Sequence, residues 1–173
     1  MVLNKEVKTK YPLIDQDPHA ARVIGYMRPS DLGVWGVATA AGPAAMYAWE
    51  AGQQHMPRSH PSQAMGMKAT AFLGFIGGFM LAYQRSSLRF WGWTENKREE
   101  EMDFAELTQR AKEGKPLYGE SDQPAWVQGS AFRNSVWTQL KFSTIPMFNF
   151  VHHSYHGTDP AKYGARAVEE ESS

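Results

Sequence analysis

Three histidines stand close together near the end of the chain, in the string HHSYH at 152–156. If this string were helical, His152 and His156 would project from one face at the spacing of two metal ligands, so this pair is the candidate metal site. A membrane di-iron oxidase needs several such histidine groups together with carboxylates, and the other histidines of the chain are isolated. We therefore expect local hydrogen bonding or surface contacts from this string, and no bound metal.

The rest of the 173-residue chain has no recognisable catalytic motif. It contains no phosphate-binding loop, no dinucleotide-binding glycine pattern, no zinc-protease helix motif and no nucleophile elbow. It has no cysteine, which excludes disulfides, iron–sulfur ligation and cysteine nucleophiles. Its 18 basic and 18 acidic residues balance, so it lacks the basic field that nucleic-acid binding requires. The sequence predicts a protein that is not an enzyme, with no cofactor and no nucleic-acid partner.

Two long windows of the chain are almost free of charge. Residues 32–49 are 18 consecutive uncharged residues, rich in Ala and Gly, and as a helix they would be about 27 Å long, close to the hydrocarbon core of a bilayer. Residues 64–84 are more apolar and carry one charge, Lys68, near their start, where its stem can reach the headgroups. We predict a mainly α fold built on a two-span transmembrane hairpin, with a loop at 50–63.

Small residues occur at helical spacing in both windows. Gly74 and Gly78 form a G-x-x-x-G pattern in the second window, and Ala38 and Gly42 have the same spacing in the first. Such smooth faces let helices approach closely in lipid, where burying apolar surface brings little gain. These four residues are the predicted helix-packing face, either between the two helices or against a helix of another protein.

Aromatic and cationic residues follow the second window directly. This mixture is typical of the membrane–water interface, so these residues are the predicted interface anchors. Basic residues near the outer ends of both windows outnumber those in the loop, which places both ends of the chain on the positive side, the cytoplasm or the mitochondrial matrix. The predicted anchors are Arg85, Arg89, Trp91 and Trp93.

The flanking regions differ in character. Residues 1–31 contain three prolines and should be extended and lie on the surface; they show no cleavable targeting signal, so an organelle address would be internal. In the C-terminal region, 85–173, we predict a helix at about 95–113 with a solvated charged face, ended by Gly114 in a left-handed conformation. The aromatic segment 126–151 should dock on a partner protein or lie at the bilayer surface.

Four strings, spread over most of the chain, resemble the 21 kDa-type accessory subunit of fungal mitochondrial NADH:ubiquinone oxidoreductase, respiratory complex I. They are YPLIDQDPHAARVIGYMRPSD at 11–31, GFIGGFMLAYQRSSLRFWGWTENKREEEMD at 74–103, KPLYG at 115–119 and NFVHHSYHGTDPAKY at 149–163. The resemblance implies a two-span subunit of the mitochondrial inner membrane with both ends in the matrix. Its implied partners are core and accessory subunits of the membrane arm and lipids. The resemblance further implies no flavin, cluster or quinone chemistry in the chain.

The expected role is therefore support of the assembly and stability of the membrane arm. A free-standing inner-membrane tether or assembly factor would have a similar sequence and stays open as an alternative. Two other classes also stay open: a histidine-dependent membrane metalloenzyme, and a soluble helical protein in which both apolar helices are buried.

Overall fold

The computed structural model describes residues 8–52, 61–138 and 147–164. These residues are mainly helical and include no β-strand. Parts of the predicted extended segment, of the loop at 50–63 and of the aromatic segment 126–151 lie outside the described residues. The α-helices of the described residues are α1 (Ala20–Gly25), α2 (Pro29–Ala51), α3 (Pro61–Phe90), α4 (Lys97–Lys112) and α5 (Ala125–Ser135), and a 3-10 turn lies at Pro160–Tyr163.

The chain divides into two compact units, which are described separately. The hairpin unit, Met27–Ser86, contains α2 and most of α3. The terminal unit combines Met1–Tyr26 with Ser87–Ser173, so it is built from the two ends of the chain. The sequence between the two parts of the terminal unit is the hairpin unit itself.

A buried carboxylate joins the two helices of the hairpin unit. α2 starts at Pro29, whose fixed φ and missing N–H suit the first helical position. Asp31 accepts a hydrogen bond from the Arg28 backbone N–H at 2.8 Å, and its other oxygen accepts one from Arg85 Nε at 2.9 Å. Because Arg85 lies near the end of α3, the Asp31 side chain holds the start of α2 beside the end of α3.

Within the described residues, one helix is long and apolar enough to cross a membrane by length and composition, over Gln63–Phe90 of α3. Almost none of its most apolar stretch is buried inside the protein. α2 has 23 residues but does not reach the same hydropathy, since alanine and glycine contribute little transfer energy. The two helices cover the predicted windows, 32–49 and 64–84. Only the helix over the second window is apolar enough to be a candidate membrane span.

The N-terminal segment 8–19 runs along the end of α3 in the terminal unit. The Tyr11 N–H donates to the Gly92 carbonyl at 3.0 Å, and the Ile14 N–H donates to the Phe90 carbonyl at 3.0 Å. Gly92 has a φ of +71°, and a Cβ at this position would collide with the Tyr11 carbonyl. Glycine is required here for both reasons.

The expected surface position does not hold for the middle of this segment, although Lys8, Lys10 and Pro12 are exposed. Ile14, Asp15 and Asp17 are buried, and α1 follows them with Ala20 and Val23 also buried. The prolines do exclude a long helix, but they do not keep the segment in solvent. The segment instead forms part of the core of the terminal unit.

The predicted charged helix is α4, and it is not uniformly solvated. Gly114 follows its end with a φ of +67°, which confirms the predicted left-handed stop. Glu99 and Asp103, however, are buried, and they lie against Arg89 and Arg22 respectively. One charged side of α4 therefore packs into the core, and its other side faces solvent.

The aromatic segment 126–151 contributes both core and exposed side chains. Phe132 of α5 and Trp137 are buried in the terminal unit. Trp126 and Phe150 are 74% and 72% exposed. The aromatic residues therefore do not form a single docking surface.

Candidate functional site

Two pairs of aspartate and histidine join the ends of the chain inside the terminal unit. The Oδ2 atom of Asp17 lies 2.8 Å from Nε2 of His153, and both carboxylate oxygens of Asp15 lie 2.9 Å from Nδ1 of His156. All four side chains are buried. We call these four residues the Asp–His clasp, and it connects positions 136 and 141 residues apart.

Backbone hydrogen bonds run alongside the clasp. The Gln16 N–H donates to the His156 carbonyl at 3.0 Å, and the Ala20 N–H donates to the Asn149 carbonyl at 2.7 Å. The Asn149 side-chain amide donates in turn to the Asp17 carbonyl at 3.2 Å. The two segments are thus held in a defined register by main-chain contacts as well as by the Asp–His pairs.

Asp17 accepts hydrogen bonds from two side chains. Ser135 Oγ donates to Asp17 Oδ2 at 2.6 Å, and this oxygen also faces His153. Burial raises the pKa of the Asp17 carboxyl above its ordinary value, and the contacts with His153 and Ser135 oppose that shift in part. Ser135 is buried, and its Oγ also lies 2.8 Å from the Ala131 carbonyl oxygen, so the hydroxyl is held inside the protein and is not presented to a substrate. The arrangement is that of a buried structural network.

His156 occupies the most strongly constrained position in the clasp. Burial favours its neutral form, but the charge of Asp15 and the hydrogen bonds to Asp15 and to the His153 carbonyl outweigh burial, so the pKa of His156 is raised above 6.5. The Tyr118 ring stacks on the imidazole with a centroid distance of 3.6 Å. Burial raises the pKa of Tyr118 to about 12. A cavity of about 330 Å³ opens beside His156.

Arg22 connects α1 to α4 through three carboxylates. Its Nη2 donates to Asp103 at 2.7 Å and lies 3.4 Å from Glu106, and its Nη1 lies 3.6 Å from Asp15. Burial disfavours the charged guanidinium, but the nearby carboxylates outweigh it and raise the pKa of Arg22. Arg22 is thus the shared counter-ion of three acids from two parts of the chain.

Two tyrosines complete this network. Tyr163 donates to Asp103 at 2.5 Å, and Tyr26 donates to Glu106 at 2.7 Å. Burial and the adjacent carboxylates raise the pKa of both tyrosines. Burial also acts to raise the pKa of Glu106, but the hydrogen bond from Tyr26 and the charge of Arg22 dominate and lower it.

The two histidines predicted to share a helix face have different partners. The string that contains them is not helical, so the spacing on which the prediction rested does not apply. The ring of His152 stacks on His19 with a centroid distance of 4.4 Å, while His156 faces Asp15. In the described part of the chain, no three histidine or acidic side chains are grouped so that they could hold a metal ion.

The four residues of the predicted helix-packing face lie between α2 and α3. A Cβ added to Gly74 would stand 2.5 Å from the Ala38 carbonyl oxygen, and one added to Gly78 would stand 3.0 Å from Ala38 Cβ. A Cβ added to Gly42 would stand 2.9 Å from Thr70 Cβ. There is no space for larger side chains at these contacts, so the small residues serve the hairpin itself.

Pro43 lies inside α2 close to the same contact. A proline has no N–H, so the carbonyl of Thr39, one turn earlier, lacks its usual helical donor. A Cβ on Gly74 would lie 3.2 Å from that oxygen, so the glycine Cα–H points toward a carbonyl with spare accepting capacity. On the neighbouring turn, Trp35 Nε1 donates to the Phe75 carbonyl at 2.9 Å.

Two of the four predicted interface anchors are not at a surface. Arg89 and Trp91 are only 5% and 2% exposed, and Trp91 Nε1 donates to a main-chain carbonyl within the terminal unit. The N-terminal segment contacts Trp91 and α4 contacts Arg89, so these two side chains pack inside the terminal unit, and their role as interface anchors stays a prediction. Arg85 and Trp93 are exposed, and their role as anchors stays a prediction.

The sequence analysis missed the acidic half of the clasp. Asp15 and Asp17 have no local spacing relation to the histidines, since their partners are more than 100 residues away in the chain. Arg22 likewise has its partner Asp103 at a distance of 81 residues in the chain. The one local signal is a pair of acids two positions apart, which does not identify a partner.

Two family models match the chain. The model described as "NADH-ubiquinone oxidoreductase complex I, 21 kDa subunit" matches residues 8–95, and the model for the C-terminal part of the same 21 kDa subunit matches residues 104–173. The chain belongs to this family. The NADH-ubiquinone oxidoreductase 20.9 kDa subunit of Neurospora crassa is 46% identical over 174 residues, which cover 97% of this chain and 88% of that protein. The resemblance seen in the sequence is confirmed.

In this member of the 21 kDa-subunit family, the clasp connects the two matched regions. Asp15 and Asp17 lie in the region of the first model, and His153 and His156 lie in the region of the second. Parts of both regions, which are described by separate family models, therefore fold together in the terminal unit, while the rest of the first region forms the hairpin unit.

Proposed function

We propose that this chain is a non-catalytic accessory membrane subunit of mitochondrial respiratory complex I, which supports the assembly and stability of the membrane arm. Its membership of the 21 kDa-subunit family and its similarity to a subunit named for NADH-ubiquinone oxidoreductase support the complex. The polar network of the terminal unit supports a non-catalytic role, because its charged groups are buried and bonded to one another. The proposed location is the mitochondrial inner membrane.

The Asp–His clasp is the observation that carries the proposed topology. Asp15 precedes the hairpin unit and His156 follows it, yet their side chains lie 2.9 Å apart. If α3 crossed the membrane alone, these residues would be separated by a hydrocarbon core of about 30 Å. A second crossing by α2 returns the chain to the side from which it started. The clasp therefore supports a hairpin of two spans with both ends of the chain on the same side.

The small residues between α2 and α3 explain how α2, which is only weakly apolar, can cross the membrane. α2 alone gains little from leaving water, but close backbone packing against α3 adds van der Waals contact in lipid. Basic residues near the outer ends of the hairpin, including Arg28 and Arg85, favour the matrix for both ends of the chain by the positive-side rule.

Other subunits of the membrane arm and lipids then bind to the apolar surfaces that stay exposed in the chain. On α3, bulky apolar side chains such as Phe72 and Leu73 are exposed. In the terminal unit, Trp126 and Phe150 are available for a protein partner. Gly74 and Gly78 are already used within the hairpin, so they act on the complex by keeping the hairpin closed.

Labelling of single introduced cysteines tests the topology, since the chain has none of its own. We would introduce Lys8→Cys, Gly52→Cys and Lys162→Cys separately and treat mitoplasts with a membrane-impermeant maleimide. The two-span proposal predicts labelling of Gly52→Cys in intact mitoplasts, and of the other two variants only after the membrane is opened. A single span would instead place Lys8→Cys and Gly52→Cys on the same side.

Native electrophoresis of mildly solubilised mitochondrial membranes tests membership of the complex. An antibody to the chain should detect it in the large band that stains for NADH dehydrogenase activity. Migration as a small separate species would favour a free-standing inner-membrane tether or assembly factor. Loss of the chain should lower the amount of intact complex, while the activity of each remaining intact complex stays unchanged.

A further inference from the structure

We propose that the Asp–His clasp is a pH-sensitive latch, in which His156 is a buried imidazolium, His153 is neutral, and loss of the His156 proton loosens residues 147–158 from the N-terminal segment. The inference concerns the terminal unit alone and does not depend on the role in complex I. It rests on which atoms face each imidazole nitrogen.

Both ring nitrogens of His156 face oxygen atoms, and a backbone carbonyl and an ionised Asp15 carboxylate can only accept. Nδ1 lies 2.9 Å from each oxygen of the Asp15 carboxylate, and Nε2 lies 2.6 Å from the His153 carbonyl oxygen. A neutral imidazole has one N–H, so one of these contacts would place a nitrogen lone pair against an oxygen lone pair. Only the doubly protonated ring donates to both acceptors. The geometry therefore assigns a positive charge to His156.

The neighbouring His153 has the opposite requirement. Its Nδ1 accepts a hydrogen bond from the Tyr155 backbone N–H at 3.1 Å, so this nitrogen carries no proton. Its Nε2 lies 2.8 Å from Asp17 Oδ2 and 3.1 Å from Asn149 Nδ2. Because an imidazole keeps at least one N–H and Nδ1 has none, Nε2 carries the proton and donates to Asp17. His153 is a neutral imidazole in one defined tautomer. The two histidines stand three residues apart and differ in charge because of their hydrogen-bond partners.

Five ionisable groups face His156 from the elements packed against it. The charges of these groups determine how stable the closed clasp is after His156 loses its proton. Asp15 would then keep only Arg22 as a nearby cation, at 3.6 Å and shared with two other acids. A buried carboxylate without an adequate partner destabilises the state that buries it. The facing groups are Asp15 and Asp17 of the N-terminal segment, Arg22 of α1 beyond Asp15, His153 of the same segment as His156, and Tyr118 after α4.

A cavity lies next to His156. The cavity of about 330 Å³ is lined by His156, and also by Gln16, whose N–H donates to the His156 carbonyl. Water in this cavity can exchange protons with the ring once the clasp opens slightly. The raised pKa of His156 agrees in direction with the charge assigned from geometry.

The sign of the pH effect follows from the higher proton affinity of the closed state. The stabilisation by His156 is complete below pH 6.5, its ordinary titration point, and it is lost as the pH rises through the higher folded-state pKa. Between these two values, the equilibrium constant for opening should rise up to tenfold per pH unit, because one proton is released. Above the folded-state value the constant should level off.

Nitrogen-15 NMR of the full chain in detergent tests the charge assignment without any destabilising change. At pH 6.5 we expect both ring nitrogens of His156 to have the chemical shifts of protonated nitrogens, and His153 to have one protonated and one unprotonated nitrogen. Raising the pH should titrate His156 with a midpoint above 6.5. A neutral His156 at pH 6.5, or a midpoint at or below that value, would overturn the proposal.

Hydrogen–deuterium exchange between pH 6 and 9, corrected for intrinsic exchange, tests the latch itself. Peptides covering 147–158 should lose protection up to tenfold per pH unit and then reach a plateau. His156→Gln should remove this pH dependence, whereas the control His152→Gln should retain it. Equal pH dependence in both variants, or unchanged protection across the range in the native chain, would contradict the latch.

Discussion

Arg22 and Asp103, which are 81 residues apart in the sequence, are joined by a 2.7 Å hydrogen bond inside the terminal unit. The same guanidinium also faces Glu106 and Asp15. Because the whole hairpin unit lies between the two residues in sequence, this ion pair can form only when both ends of the chain have reached the same place. The pair therefore links α1 to α4 within the terminal unit.

Replacement of Arg22 by Leu should strongly destabilise the terminal unit. The variant leaves Asp103 buried without its cation, and breaking a buried pair in this way costs about 3–5 kcal/mol. Urea unfolding of the full chain in mild detergent, followed by tryptophan fluorescence, measures the loss. Arg98→Leu is the control, since its half-exposed side chain lies 4.0 Å from Glu99 and should contribute less than about 1 kcal/mol. Equal losses in the two variants would rule out a central role for Arg22.

Gly74→Ala and Gly77→Ala form a matched pair within α3. A methyl group at Gly74 would meet the Ala38 carbonyl oxygen at 2.5 Å, whereas a methyl group at Gly77 would have nothing within 4 Å. We expect Gly74→Ala to lower stability by about 1–3 kcal/mol and Gly77→Ala to leave it unchanged or slightly raised. Thermal unfolding in detergent provides the comparison, and retention in native complex I provides a second readout. A greater loss from Gly77→Ala would refute the assigned packing face.

Asp31 should show a graded response to substitution. Its carboxylate caps the start of α2 and also accepts from Arg85. Asp31→Asn keeps an acceptor for one of these contacts, whereas Asp31→Ala removes both. We expect the alanine variant to be less stable than the asparagine variant by about 1 kcal/mol, the usual value of a helix cap. Thermal unfolding of the two variants and the native chain gives the order, and a reversed order would contradict the capping role.

Glu106 should contribute to the loss of stability in acid. Since its pKa is lowered in the folded state, its stabilising effect is present above the ordinary value of 4.5 and is lost as the pH falls through the folded-state value. Stability measured by thermal unfolding from pH 6 to pH 3 should therefore decrease less steeply in Glu106→Gln than in the native chain. Glu101→Gln, on the exposed side of α4, should keep the native slope. An unchanged slope in Glu106→Gln would show that other groups control acid unfolding.

Local sequence features predicted the parts of the fold that depend on near neighbours. The uncharged windows correspond to α2 and α3, because an apolar helix needs only a continuous run of suitable residues. Gly114 was predicted to end a helix in the left-handed conformation, which glycine adopts readily, and it has a positive φ in the structure. The glycine spacing likewise indicated a close contact before Gly74 was seen beside Ala38.

The polar core of the terminal unit could not be predicted in this way. Buried charges need partners, but the chemistry of a carboxylate does not say which distant cation or imidazole it will meet. The interpretation of His152 and His156 as neighbours assumed a helix, and the structure has none there. Likewise, Arg89 and Trp91 have the composition of a membrane interface, but tertiary packing covers them.

Composition, periodicity and spacing thus sufficed for the helical class, the apolar windows and the absence of recognisable catalytic motifs, since each depends on residues close together in the chain. Tertiary structure decided that Asp15 meets His156, that Asp17 meets His153, and that Arg22 serves three acids. The physical reason is that the free energy of a buried charge depends on the groups within a few ångströms, and here those groups come from opposite ends of the sequence.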